Sequence, residues 1–453
     1  MSLADAALMA EGRTSGGNPV FTGVSTDTRS LRPGDLFVAL RGERFDGHAF
    51  LEGAKAAGAC AAMVERAYGG KYPLPVVVVA DTKLALGALA RGWRARFSPV
   101  LIAVTGSNGK TTVKEMLASI LRAHAKGEAA GEQAVLSTAG NLNNDIGLPL
   151  TLLRLDDRHR WCAIELGMNH KGEIAYLAGI AQPTVALVNN AQREHLEFMN
   201  SVEEVAAENA SVYAALPAHG VAVVNADDGQ AAFFRKVAGR RRVVDFGLEA
   251  AAAVTGRTTL KPLSSEMHIR VPGGEASATL AIPGLHNVRN ALAAAACAHA
   301  AGIDLSSIVK GLAAFRPYVG RLQVKQAGAT TVIDDSYNAN PDSVRAAIDV
   351  LAACPAPTVL VLGDMGEVGS LGAQFHQEVG AYARSKGISS LLALGEATRQ
   401  AVAAFGPDAQ HFDSVEALVA AIRGKTVLVK GSRFMRMERV VAALTGAATG
   451  GGH

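Results

Sequence analysis

The stretch from residue 100 to residue 112 constrains this chain more than any other. The apolar run Val100-Leu101-Ile102-Ala103-Val104 leads directly into Thr105-Gly106-Ser107-Asn108-Gly109-Lys110-Thr111-Thr112. Beyond it, Val113, Met116, Leu117, Ile120 and Leu121 recur at helical spacing. A buried strand, a glycine loop and a helix in that order form a phosphate-binding loop. Its glycines let backbone N–H groups crowd around phosphate oxygens, and the helix N-terminus adds partial positive charge. Lys110 is placed to reach β and γ phosphates, and the Thr111 hydroxyl to ligate Mg²⁺. The general GxxxxGK[ST] pattern needs glycine where this chain has Val104, so the match is to the shorter form TGxNGKT. By itself the loop implies an ATP-using protein and no particular reaction.

Around the loop, alanine-rich helical patterns alternate with short Val, Ile and Leu runs, the pattern of α/β units. A chain of 453 residues exceeds one hydrophobic core, and breaks near Pro99 and at Arg316-Pro317 divide it into three expected domains. Residues 1–98 form a smaller N-terminal α/β domain with strands over 35–40 and 76–79 and a helix near 50–58. Residues 99–315 hold the central parallel P-loop sheet. Residues 316–453 form a Rossmann-like α/β domain, with strands over 331–333, 358–362, 390–394 and 426–429, each leading to a helix. No internal repeat is visible, and the low-complexity stretch 447–452 reads as a disordered end.

Other classes are excluded. The 44 Lys and Arg against 41 Asp and Glu give a formal +3, spread along the chain, so no nucleic-acid partner is implied. Cys60, Cys162, Cys297 and Cys354 stand far apart, which reads as reduced thiols rather than a zinc site or disulfide framework. With no signal-like start and no long apolar run, a cytoplasmic protein is expected, and nothing demands a partner chain, so a monomer.

Read with its neighbours, the loop resembles that of the Mur ligases, the ATP-dependent enzymes that add amino acids to peptidoglycan precursors. The likeness extends along nearly the whole chain. It includes Ser25-Thr26-Asp27-Thr28-Arg29, Leu31-Arg32-Pro33-Gly34-Asp35 and Asp46-Gly47-His48 in the first domain, with Gly140-Asn141-Leu142-Asn143-Asn144, Glu165-Leu166-Gly167-Met168-Asn169 and Pro283-Gly284-Leu285-His286-Asn287 in the second. In the third it includes Asp334-Asp335-Ser336-Tyr337-Asn338-Ala339-Asn340-Pro341, Gly363-Asp364-Met365-Gly366-Glu367 and Lys430-Gly431-Ser432-Arg433. The Asn-Ala-Asn-Pro run points to the branch that adds D-alanyl-D-alanine, and the Asp-Asn-Pro-Arg motif of the branch that adds the third residue is absent. The resemblance implies that ATP phosphorylates the terminal carboxylate of UDP-MurNAc-tripeptide and that the D-Ala-D-Ala amine attacks the acyl phosphate. ADP and phosphate leave with the new peptide bond.

The resemblance also implies roles for individual residues. Residues 105–112 bind ATP. Thr111 and Glu165, at the end of an apolar strand, hold Mg²⁺, and His195 helps to place a second Mg²⁺. Asn287 and His286 meet adenine, while Arg321, Asp335 and Asn338 complete the ATP site. Asn143 and Asn144 face the sugar-linked phosphates or the acyl phosphate. Many Mur ligases carry a carbamylated lysine fourteen residues after the histidine, where this chain has Asn209. Glu208 either supplies the missing charge or is a solvated helix residue. From their alternation, Ser25, Asp27 and Arg29 share one face of an extended segment suited to a uridine diphosphate. Lys430, Ser432 and Arg433 lie where the last strand meets its helix, a natural carboxylate-binding position.

Overall fold

Val100–Thr105 forms the inner strand of a nine-stranded sheet, parallel to Trp161–Glu165 on one side and Val185–Val188 on the other. This computed structural model describes residues 1–43, 45–127 and 129–446, so the stretch 447–452 lies outside the described residues. The sheet runs Gly274–Leu280, Ser264–Val271, Val254–Lys261, Arg242–Gly247, Val221–Asn225, Val185–Val188, Val100–Thr105, Trp161–Glu165, Val135–Ser137. It is not wholly parallel as expected, because Val254–Lys261 pairs antiparallel with Ser264–Val271, which pairs antiparallel with Gly274–Leu280. Burial alternates along Ser264–Val271, the mark of a hairpin with one solvated face, whereas the inner parallel strands are buried on both.

Two further sheets flank this one. The N-terminal sheet runs Arg13–Ser15, Val76–Val79, Ala61–Glu65, Asp35–Val38, Gly23–Ser25 and is parallel except for its first strand. The C-terminal sheet runs Gln323–Ala327, Thr330–Asp335, Thr426–Lys430, Thr358–Gly363, Ser390–Leu394, Ala409–Phe412. Its strand succession changes direction around Thr426–Lys430, which opens a crevice at the carboxyl ends of the strands. Of the cysteines, Cys162, Cys297 and Cys354 are buried, Cys60 is half-buried, and all are free thiols. No described helix is long and apolar enough to cross a membrane.

The phosphate-loop helix Lys110–Ala125 is braced from behind by Leu305–Ala314. The helices meet at Gly311, where a Cβ would stand 2.2 Å from Ile120 Cα, and Ser119 Oγ donates to the Gly311 carbonyl at 2.7 Å. The C-terminal domain is tied to the central one chiefly by Arg193. Its guanidinium donates to Asp342 Oδ1 at 2.6 Å and to Glu378 Oε2 at 2.8 Å, and it lies over the Phe375 ring. On the other side, Arg94 of helix Thr82–Arg94 is buried and donates to the Ala181 carbonyl at 3.1 Å.

Two outcomes follow. Gly311→Ala forces the brace and the phosphate-loop helix apart, so calorimetry should show a loss of about 1–3 kcal/mol, typical of overpacking. Arg193→Ala removes charge-assisted bonds of about 1.5–3 kcal/mol each before solvent screening, and should lower the melting temperature. The effect depends on pH. Arg193, with a smaller contribution from Arg345, holds the Glu378 carboxyl below its ordinary 4.5. A carboxyl depressed in the folded state contributes its stability above the unfolded value and loses it as pH falls through the folded one. The gap between wild type and Arg193→Ala should therefore narrow as pH falls below the ordinary 4.5 of that carboxyl; a gap constant into acid would rule out the Glu378 carboxylate as its source.

Candidate active site

Gly106 and Gly109 take the backbone angles φ 128° and 83°, which side chains rarely adopt, so the loop turns where its N–H groups can converge. Asn108 is fixed from several directions. Its N–H donates to Asn190 Oδ1 at 2.8 Å, its carbonyl accepts from Asn189 Nδ2 at 2.7 Å, and its side chain donates to Gln192 Oε1 at 2.7 Å. Asn340 Nδ2, from the C-terminal domain, donates to Asn108 Oδ1 at 2.9 Å. Ser107 Oγ accepts from the Gln192 N–H at 2.9 Å. Lys110 Nζ is held over the loop by the carbonyls of Gly106 and Ser107, at 2.6 and 2.8 Å, and by Glu194 Oε2 at 3.2 Å.

In front of the loop lies a cleft of about 1080 Å³ lined by all three domains, with Ser107 to Thr112, Glu165 and His195 from the central one. Glu165 is 2 % exposed. Its Oε1 accepts from Thr111 Oγ1 at 3.2 Å and Asn143 Nδ2 at 2.7 Å, while Oε2 is buried with no hydrogen-bond partner. Thr138 anchors its backbone: the Glu165 N–H donates to Thr138 Oγ1 at 3.0 Å, and the buried Lys114 holds the Thr138 carbonyl at 2.8 Å. A buried carboxylate oxygen without a donor, beside a threonine hydroxyl at a phosphate loop, fits a divalent cation. Among the described residues no group of three or more His, Cys, Asp or Glu side chains is arranged to hold a metal.

His195 sits in the cleft wall in a left-handed conformation, φ 55°, with Nδ1 2.7 Å from Glu367 Oε2 and Nε2 3.7 Å from Glu194 Oε1. The imidazole beside it holds the Glu367 carboxyl below the usual range. From the C-terminal domain, Arg321 and Arg433 both approach the Tyr337 ring, at 4.2 and 5.7 Å, and line the cleft with Asn338 and Ser432. Arg321 Nε is buried without a hydrogen-bond partner. Ser432 Oγ accepts from the Gly366 N–H at 2.7 Å and donates to the Ala339 carbonyl at 3.1 Å.

Several expected residues have other tasks. Glu208 does not face the cleft: its two oxygens accept from the Gly172 and Ile174 N–H groups, both at 2.8 Å, at the start of helix Glu173–Ala181, where the helix dipole favours a negative charge. It is neither solvated nor beside His195. Lys430 is buried and committed to Asp335 Oδ2 at 2.6 Å and the Asn338 carbonyl at 3.0 Å, and neither Lys430 nor Asp335 lines the cleft. Burial pushes the Asp335 carboxyl up and the Lys430 ammonium down, and their close approach works against both shifts. Thr105 Oγ1 donates inward to Asn209 Oδ1 at 2.6 Å. Ser25, Asp27 and Arg29 do not share a strand face. The strand ends at Ser25, and Asp27 organises a turn, accepting from the Arg29 N–H at 2.9 Å while its carboxylate pairs with the Arg29 guanidinium. Asp in that position competes with extended backbone through its own side chain.

Asn144 Oδ1 accepts from the Gly147 N–H at 2.9 Å and also lines the cleft. Asn287 and half-buried His286 stand at the start of helix Leu285–Ala300. They join the loop through Asn290, which donates to Asn287 Oδ1 at 3.1 Å and accepts from Asn189 at 3.0 Å. Burial and the Lys430 charge push the His286 imidazole down to about 4, so it is neutral. Sequence reasoning missed Asn189, Asn190, Gln192, Glu194 and Glu367. Their signal was position, since the first four follow the strand Val185–Val188 at its carboxyl end.

Comparison with known proteins agrees with this geometry. Residues 104–298 match the Mur ligase middle domain, residues 320–433 the Mur ligase glutamate ligase domain and residues 20–94 the catalytic domain of the Mur ligase family. The chain is 42 % identical to the UDP-N-acetylmuramoyl-tripeptide--D-alanyl-D-alanine ligase of Escherichia coli (strain K12), covering 96 % of both. It is 40 % identical to the enzyme of the same name from Haemophilus influenzae, covering 93 % of both. Its structure resembles MurF from Acinetobacter baumannii, with a TM-score of 0.90 at 34 % identity over 98 % of each chain. It also resembles the MurF ligase of Thermotoga maritima in complex with ADP, with a TM-score of 0.81 at 26 % identity over 94 % of this chain and 98 % of that one. This chain belongs to the Mur ligase family.

Proposed function

We propose that the protein joins D-alanyl-D-alanine to UDP-MurNAc-tripeptide with ATP, giving UDP-MurNAc-pentapeptide, ADP and phosphate for peptidoglycan synthesis. The observation that carries the reading is the cleft, where a phosphate loop with its lysine faces two arginines brought by a second domain, in a chain 42 % identical over 96 % of its length to a ligase of that name. A carboxylate is a poor electrophile, and phosphorylation gives it a leaving group. Bringing an anionic carboxylate to a triphosphate requires cations at the transfer point. Lys110, Arg321 and Arg433 are the side chains suited to that task. Thr111 and Glu165 would hold Mg²⁺, with His195 at a second ion, and Asn143 keeps Glu165 oriented. Bound there, Mg²⁺ would neutralise charge developing on the phosphoryl oxygens.

In this reading residues 1–98 hold the UDP-sugar end and residues 99–315 the ATP. Residues 316–453 bind D-Ala-D-Ala and complete the ATP site. A monomer in the cytoplasm suits an enzyme that consumes ATP and a nucleotide-linked sugar.

The test is phosphate release by the purified protein with UDP-MurNAc-tripeptide, with and without D-Ala-D-Ala. Turnover should require the dipeptide. ATP hydrolysis indifferent to both substrates would replace the proposal with a regulatory NTPase, and no dipeptide-dependent turnover on either the diaminopimelate or the lysine tripeptide would reject it. Lys110→Ala should lower kcat by about 10²–10³, as does loss of one preorganised charge-stabilising donor.

A further inference from the structure

Two residues in strained backbone meet across the cleft. His195 of the central domain and Glu367 of the C-terminal domain both have positive φ, 55° and 58°, though neither is glycine. Such angles cost of order 1–3 kcal/mol and persist where the surroundings over-determine them. The two loops are joined along the backbone as well, since the Glu197 N–H approaches the Glu367 carbonyl at 3.4 Å. His195 is 9 % exposed, and its Nδ1 is buried without an aligned hydrogen bond. Glu367 Oε2 stands 2.7 Å from it, an acceptor within reach of a proton carried on that nitrogen. The other ring nitrogen, Nε2, points toward Glu194 Oε1 at 3.7 Å, and the second oxygen of Glu194 meets Lys110 Nζ at 3.2 Å.

The geometry points to Glu367 as the positioning residue of His195: a carboxylate carried by the C-terminal domain that fixes the histidine tautomer, with the proton on Nδ1 and the Nε2 lone pair free for a cation. The inference rests on the reading of His195 as a cation ligand. An imidazole binds a cation through a deprotonated nitrogen, and which nitrogen is free is set by the bond made at the other. Because Glu367 stands on another domain, His195 becomes a competent ligand only where the C-terminal domain closes on the central one. The phosphate loop thus carries its own lysine, while its histidine is completed from another domain.

The experiment compares Glu367→Ala and Glu367→Gln with wild type in the full-length protein. The His195 nitrogens are read by long-range ¹H–¹⁵N correlation with Mg²⁺ and a non-hydrolysable ATP analogue, and assigned with His195→Gln. Wild type should show Nδ1 protonated and Nε2 bare. Glu367→Ala should mix the tautomers and lower kcat about 10–100-fold, the usual cost of losing such a partner, with KM for ATP changed less than about threefold. Glu367→Gln, whose amide oxygen still accepts from Nδ1, should keep the wild-type tautomer and recover much of kcat. Unchanged His195 nitrogens in Glu367→Ala would overturn the proposal even if kcat fell, since the role would then be structural. Should the wild-type protein make no pentapeptide, the proposed function fails while the nitrogen spectra still decide this point.

Discussion

The phosphate loop turns at Gly106 and Gly109 so that the N-terminus of helix Lys110–Ala125 lines the cleft, and the rest of the cleft depends on how that loop is held. Converging N–H dipoles attract any nearby carboxylate, so a charged support would occupy the anion's place. Here the supports are neutral amides. Asn189, Asn190 and Gln192 from the adjoining strand end, with Asn340 from the C-terminal domain, donate to or accept from Asn108. An amide both donates and accepts, so the loop is fixed with no net charge added. The margin is narrow at Gly109, where a Cβ would stand 2.3 Å from Asn290 Oδ1. A side chain there would displace Asn290 and break its links to Asn189 and Asn287.

Charge is then distributed by domain. The central domain supplies one cation over the loop, Lys110, and the carboxylates Glu165 and Glu194. The C-terminal domain brings Arg321 and Arg433, stacked against Tyr337, together with Glu367. Stacking on a ring face steadies a guanidinium without neutralising it. The Arg193 contacts to Asp342 and Glu378 lie two residues from His195, so the segment that carries the histidine also carries the principal bond between the domains.

The phosphate loop and its flanking elements were legible because hydrophobic period and glycine placement are local signals. Thr111, Glu165 and Asn143 were legible as strand-end and loop residues, and the structure brings them together. What was not legible depends on partners distant in sequence. Nothing local distinguishes Lys430, buried against Asp335, from a lysine free to bind a carboxylate. Ser25, Asp27 and Arg29 alternate on paper, yet Asp27 bonds the backbone two residues on and turns the chain. The hairpin strands at the sheet edge were missed because their one-sided burial follows from their neighbours rather than from an apolar run.

The position of the missing lysine carbamate shows how far electrostatics depends on the atom rather than the residue. Asn209 stands there fully buried, accepting from Thr105 at 2.6 Å and donating to the Val205 carbonyl at 2.9 Å, with no charge to offer. Glu208, next to it in sequence, has the right charge but spends it on the first N–H groups of helix Glu173–Ala181. Coulomb interaction falls with distance and is weakened again where dipoles already satisfy the charge. The carboxylate whose oxygens stand between Lys110 and His195 is Glu194, at 3.2 and 3.7 Å. It comes from the same strand end as the asparagines that hold the loop, so in this chain one segment both shapes the phosphate site and sets the negative charge beside it.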